Sequence, residues 1–177
     1  CSSDLAIFFY VGIEVGIPSK LLFYLSEPLS KGGILGSAVV GGLISGFYWL
    51  LMLVGRFVSA FISGKVSSRI QLTTTSIVAI SLLLVAIFMP ETSKMNLIIP
   101  DITHWKLIDA EVPTNVVFIV LCGLCTSVMW GVIYNLATEG LGRYTASASG
   151  LFMTMVFGGG VMPLIQDLIA TKIGDIN

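Results

Sequence analysis

Charge is what this 177-residue chain has least of: nine Lys and Arg and ten Asp and Glu make up 11% of it, where soluble domains carry about a quarter. So little charge cannot cover the surface of a soluble domain. The formal net charge of −1 and the lack of any Lys/Arg run leave no basic field for a phosphate backbone, so no nucleic-acid partner is expected. Histidine occurs once, at His104, with no companion at metal-ligand spacing. The nearby Asp101 and Asp109 read as a solvated surface, and no metal centre is expected. Three cysteines make no disulfide framework. Cys122 and Cys125 do spell CxxC, but inside an apolar stretch without a second pair they read as small packing residues. The glycine runs lack the Lys-Ser/Thr of a phosphate loop, and no catalytic constellation occurs. An ATP-driven machine, an enzyme and a cofactor are therefore not expected, and any transport would be secondary.

What is present is apolar. A hydrophobic fraction of 55% and a mean hydropathy of +0.97 mark an integral membrane protein whose first partner is the lipid bilayer. A spanning helix needs about 20 apolar residues. Five stretches qualify, at 5–25, 34–62, 72–89, 116–138 and 148–170, and together they predict an all-α, polytopic transmembrane helical bundle. The second exceeds what a bilayer requires, so it must tilt, bend or project. The polar segment at 90–115 is expected to be an outer loop with a short interfacial turn. Arg56, Lys65 and Arg69 gather at the end of the second span, while the 90–115 loop is acidic. The positive-inside rule then puts residue 1 inside, that loop outside, the 139–146 turn inside and residue 177 outside. Lys20 and Lys31 fall on the outer side and weaken that count.

Within the first span, Glu14 is the costliest residue, since a carboxylate at mid-span costs about 2.5–3.5 kcal/mol on insertion scales. It must face a cavity, find a partner or be protonated, and the base rate for intramembrane acids favours function over a strut between helices. Pro18 has no N–H for the carbonyl of Glu14, so one turn offers a carboxyl and a free carbonyl. Gly12 and Gly16 form a GxxxG pair for close helix approach. In the second span, Tyr48 and Trp49 suit a sugar, whose C–H faces stack on rings while polar tips hydrogen-bond. Packing or interfacial anchoring suits them equally. Gly42 and Gly46 continue with Gly55, Ser59 and Ser63 as a small-residue stripe expected to pack against another helix.

The fourth span carries Ser127, Trp130, Asn135 and Glu139 toward its inner half. Asn135 fits both lining a path and capping polar packing. In the last span, Gly158, Gly159 and Gly160 precede Pro163, which offers no N–H to the carbonyl of Gly159 and sets an expected weak point inside the bilayer. Such a defect is tolerated beside protein or a water-filled cavity. Two contacts are expected to follow. Glu14, Tyr48, Trp49 and Trp130 should face one aqueous cleft, and Arg56 should meet Glu139 as an inner-side gate, with snorkelling of Arg56 to lipid phosphate as the competing role.

Several of these runs also resemble one family. Tyr10, Val11, Gly12 and Glu14 match a YVGxE pattern, Tyr48, Trp49, Gly55, Arg56 and Phe57 match YW…GRF, and GLG, a polar turn, GGG and a proline recur in order near the C-terminus. These resemble the fucose permease and bacterial glucose/galactose transporter group of the major facilitator superfamily. There, twelve helices form two six-helix halves, and this chain is similar to helices seven to eleven. The resemblance implies a partial C-terminal half whose missing N-terminal half completes the cavity, an expectation that the odd span count and the absent first methionine share. It also implies that Glu14 and Tyr10 line the sugar path and that Trp130 stands where the group carries an aromatic contact to sugar. The chain departs from the group's Gln-Tyr-Pro pattern by reading Met129-Trp130-Gly131, which leaves the sugar open.

The function expected is cation-coupled uptake of a neutral sugar, such as fucose, glucose or galactose, by alternating access across a bacterial inner membrane. The coupling cation is expected to be H+, with Na+ as the other choice. Aromatic and neutral polar lining without a mid-span cationic cluster disfavours sugar phosphates and organic anions. The competing readings are a major-facilitator exporter of drugs or other small molecules, and a non-transport membrane enzyme or assembly subunit.

Overall fold

The computed structural model describes residues 2–26, 37–90, 93–101 and 106–174. Cys1, Lys31, His104 and Trp105 lie outside the described residues. The helices are α1 (Ser2–Ser26), α2 (Ala38–Ile62), α3 (Ser68–Phe88), α4 (Thr114–Thr138), α5 (Thr145–Thr154) and α6 (Gly158–Gly174), with 3-10 turns at Gly142–Tyr144 and Met155–Phe157. Taking 142–172 as one continuous segment, five helical spans among the described residues are long and apolar enough to cross a membrane.

Several hydroxyls inside these helices are satisfied locally, as hydrocarbon favours. In α3, Thr73, Thr75 and Ser81 donate to the carbonyls of Arg69, Gln71 and Ile77 at 2.8–2.9 Å, so their hydroxyls need no water. Ser37 caps α2 by accepting from the Val40 N–H at 3.4 Å. After α4 the chain reverses through Gly140 and Gly142, at φ of 78° and 49°, a left-handed conformation that favours glycine.

α1, α2 and α4 pack together, α3 lies on α4, and α6 lies on α1. The GxxxG pair of α1 sits at that last contact: a Cβ on Gly12 would strike the Met162 side chain, and one on Gly16 the amide of Gln166. Gly158 faces the Phe8 carbonyl and Gly159 faces Val11. Gly160 meets nothing within 4 Å, so only two of the three glycines serve this approach. Nor does the departure from α geometry fall at Pro163, which lies inside α6. It falls at Met155–Phe157, directly before the glycines.

The stripe on α2 also differs from expectation. Gly42 and Gly46 meet nothing within 4 Å, whereas the neighbouring Gly41 abuts Leu22, Leu25 and Ser26 of α1. One residue is about 100° on a helix, enough to turn a glycine from contact to open surface.

The 90–115 segment is not a plain loop. It contains an antiparallel ribbon of β1 (Lys94–Asp101) and β2 (Lys106–Pro113), paired in unbroken register from Lys94 with Pro113 to Asp101 with Lys106. Ala110 and Val112 reach into an apolar cluster with Leu21, Leu25, Val40, Ile44 and Val116. On the exposed face, Lys94 pairs with Glu111 at 3.2 Å. The ribbon thus closes one end of the α1–α2–α4 group.

Candidate functional site

Among the described residues, Glu14 is the one buried charged side chain, 6% exposed. Its Oε1 accepts from Nη2 of Arg56, one helix away, at 3.2 Å. The guanidinium also lies 3.8 Å from the Met52 sulfur, one turn back on α2. The cost of a mid-span carboxylate is offset here by a partner whose own side chain is half exposed, so the pair stands at the boundary between packed protein and open space.

That space is a polar cavity of about 240 Å³ lined by Arg56, Ser59, Ser63, Ser127, Trp130 and Asn135, among others. A second cavity, of about 430 Å³, continues along α4 through Asn135 to Ser67, Ser68, Arg69 and Glu139. Asn135 borders both. Ser59 and Ser63, read as packing residues, line the first cavity instead.

Around the pair, Tyr10 donates to the main-chain carbonyl of Thr126 at 2.7 Å, and the Tyr48 hydroxyl lies 3.1 Å from Oγ1 of the same threonine. The Trp130 ring packs against Tyr10 at 6.1 Å and against Phe152 at 5.9 Å. α1, α2, α4 and α5 therefore meet in an aromatic and hydroxyl-rich layer beside Glu14.

Glu14, Tyr10, Arg56 and Trp130 are brought together, with Asn135 further along the same cavity. Tyr48 belongs to the layer but is wholly buried and presents no surface to the cavity. Trp49 does not join it: 46% exposed, it touches the Tyr48 ring edge-on at 6.0 Å and lies off the buried face of α2. The shared cleft of four residues is thus reduced to Trp130 on the cavity wall and Glu14 behind Arg56. Arg56 is engaged by Glu14 rather than Glu139, which lines the other cavity, because the guanidinium reaches along α2 toward the buried carboxylate. The carbonyl of Pro18 accepts from Ser45 at 3.2 Å, tying α1 to α2 one turn beyond Glu14. Pro163 and Gly160 lie in α6, away from the cavity linings.

Thr126 escaped the sequence reading. Its signal was positional: it lies one helical turn before Trp130, hence on the same face, beside Ser127 in a mostly apolar run. Cys122 and Cys125 are buried free thiols, and Cys122 lies 3.4 Å from the Phe118 carbonyl. Among the described residues no group of His, Cys, Asp and Glu could hold a metal.

Five helices able to cross a membrane, with a buried ion pair at the edge of a polar cavity, define a multi-pass helical membrane protein. Sequence comparison agrees with that class. The chain is 29% identical over 170 residues to the glucose/galactose transporter of Brucella abortus, covering 96% of this chain and 35% of that relative. It is 28% identical over 165 residues to the putative glucose/galactose transporter of Helicobacter pylori. Against the L-fucose-proton symporter of Escherichia coli it is 21% identical over 174 residues, 97% of this chain and 34% of the relative. The resemblance to this transporter group thus extends along nearly the whole chain, and the relatives are named for transport, not catalysis. The chain spans about a third of their length. No family model and no solved structure matches it.

Proposed function

We propose that this chain forms part of a secondary transporter that takes up a neutral hexose or 6-deoxyhexose together with a cation, the proton, by alternating access. The observation that carries the reading is the Glu14–Arg56 pair at the edge of the polar cavity. The names of the relatives, one of them a proton symporter, supply the substrate class. An aromatic wall at Trp130, serine hydroxyls and the Asn135 amide offer stacking and neutral hydrogen bonds, which fits an uncharged polyol.

In this reading a proton arriving on Glu14 removes the charge that holds Arg56. The guanidinium is then released into the cavity, where it donates to sugar hydroxyls or reaches along α4 toward Glu139. The Arg56–Glu139 contact, absent from this conformation, belongs to the alternative state. Each such exposed contact is worth only about 0–1 kcal/mol, which suffices to bias a near-balanced two-state equilibrium several-fold. Arg56, Lys65 and Arg69 mark the cytoplasmic side, the ribbon lies outside, and the membrane is a bacterial inner membrane. The rest of the polypeptide completes the cavity.

Uptake of labelled fucose, glucose and galactose into vesicles holding the full-length protein tests this, with and without an imposed proton gradient. The expected result is competition among these sugars and gradient-dependent accumulation. Gradient-independent accumulation overturns the coupling. Export of hydrophobic cations without sugar uptake selects the exporter reading instead.

A further inference from the structure

We propose that Thr126 is the positioning residue of the Glu14–Arg56 site, holding the phenols of Tyr10 and Tyr48 from two helices on one residue of a third. The inference rests on the sugar-uptake reading only for its kinetic test. Its geometry stands alone.

The hydrogen bonds have one consistent direction. Thr126 Oγ1 lies 3.2 Å from the Cys122 carbonyl and 3.1 Å from the Gly123 carbonyl of its own helix. Carbonyls only accept, so the threonine proton goes to α4's backbone and its lone pair is left for Tyr48. Tyr48 is fully buried, and a buried phenol proton without an acceptor is costly. Tyr48 therefore donates to Thr126 Oγ1, and the chain ends on a main-chain carbonyl. Tyr10 donates at 2.7 Å to the carbonyl of that same residue.

Packing brings the same part of α2 close enough to α4 for this bond to form. Gly123 lets the Tyr48 backbone and ring come so close that a Cβ there would stand 2.7 Å from the Tyr48 carbonyl oxygen and 3.2 Å from its ring. Gly55, two turns further along α2, abuts Ser127 and the Leu124 carbonyl in the same way. Both faces are thus pressed onto α4 at Thr126. Glu14 is one turn after Tyr10 on α1, and Arg56 two turns after Tyr48 on α2. The separation across which the carboxylate meets the guanidinium is fixed by where Thr126 pins the two tyrosines. Tyr48, assigned to sugar from sequence, has its proton committed to this post and acts on the site through it, while the Tyr10 phenol, bonded to the same residue, also lies within hydrogen-bonding reach of the Glu14 carboxylate and joins the post to the site.

The test compares Thr126→Val, which keeps the shape and removes the hydroxyl, with Thr126→Ser, which keeps the hydroxyl, in the full-length protein. Thr126→Val should raise the half-saturating sugar concentration about three- to tenfold, the range one intramolecular hydrogen bond spans, with the maximal rate within about twofold. Thr126→Ser should return it to near the parent value. A Thr126→Val protein with unchanged half-saturation overturns the proposal, and so does a Thr126→Ser protein as impaired as Thr126→Val. Should the parent protein take up none of these sugars, the functional reading falls, but thermal unfolding in detergent still decides this inference. Tyr48→Phe should lower the Tm of the parent and leave the Thr126→Val background nearly unchanged, whereas additive losses overturn it.

Discussion

α2 and α3 are both long apolar helices packed on α4, yet they use it differently. α2 turns Ser45, Tyr48, Met52 and Gly55 inward, and with them come a buried phenol, a sulfur contact to Arg56 and a close glycine approach. α3 buries only Gln71 and Ala86; Thr73, Thr75 and Ser81 bond back to its own carbonyls, and most of its large side chains face outward. Hydropathy does not separate the two. What does is where the hydroxyls and charges find partners: Ser45, Tyr48 and Arg56 of α2 reach across a helix interface, whereas Thr73, Thr75 and Ser81 of α3 bond within their own helix. In lipid, where apolar burial gives little drive for association, only the former specifies how helices are arranged.

The strongest way to break this contrast is to force α2 from α4. Gly123→Val places atoms where the Tyr48 backbone stands, and overpacking of this kind costs about 1–3 kcal/mol or more. Markedly less folded protein in detergent size-exclusion chromatography is expected; wild-type yield would show that the close approach is dispensable. Next come the charges. Glu14→Gln should preserve the fold and lower gradient-driven uptake at least about tenfold, near 1.4 kcal/mol of lost coupling, and unchanged uptake kinetics would return Glu14 to a strut. Arg56→Glu and Glu14→Arg should each lose uptake, and combining them should restore a part of it. Failure of the pair to rescue, measured beside the single variants, would remove their contact from the cycle. On the α3 side, Thr73→Val should leave thermal stability within about 0.5 kcal/mol and uptake unchanged, since the exposed hydroxyl serves only its own helix. The smallest effect has the opposite sign. Gly42→Ala, on the open face of α2 where nothing lies within 4 Å, should stabilise by up to about 1 kcal/mol from helix propensity; destabilisation would mean that this face is packed after all.

The fold class was legible because composition and window hydropathy leave few alternatives for so apolar a chain. Individual contacts were less so. Glu14 stood out alone, but its partner lies 42 residues away, and nothing local distinguishes Arg56 reaching to Glu14 from Arg56 reaching to Glu139. Tyr48 and Trp49 carried the same argument from chemistry, and only their rotation on the helix decides that one is interior and the other exterior. The same rotation separates Gly41 from Gly42. The ribbon was visible in principle: Ile108, Ala110 and Val112 alternate with polar or acidic neighbours at the period of a strand. A loop was the simpler expectation for a polar segment between spans, and Pro100 and Pro113 weakened the strand signal.

The ribbon has one further consequence. β2 runs into α4 without an intervening loop, Pro113 being followed directly by Thr114, and its base is seated among α1, α2 and α4. Eight residues of strand extend about 26 Å at roughly 3.3 Å each, so a helix tilt of about 10° at the base carries the far end roughly 4–5 Å. Under the alternating-access proposal, the ribbon would be a pointer attached to α4. If α4 tilts in the proposed cycle, a spin or fluorescent label near the ribbon's far end would report that tilt without touching the cavity, and an unchanged label signal on adding sugar would mean that α4 stays fixed.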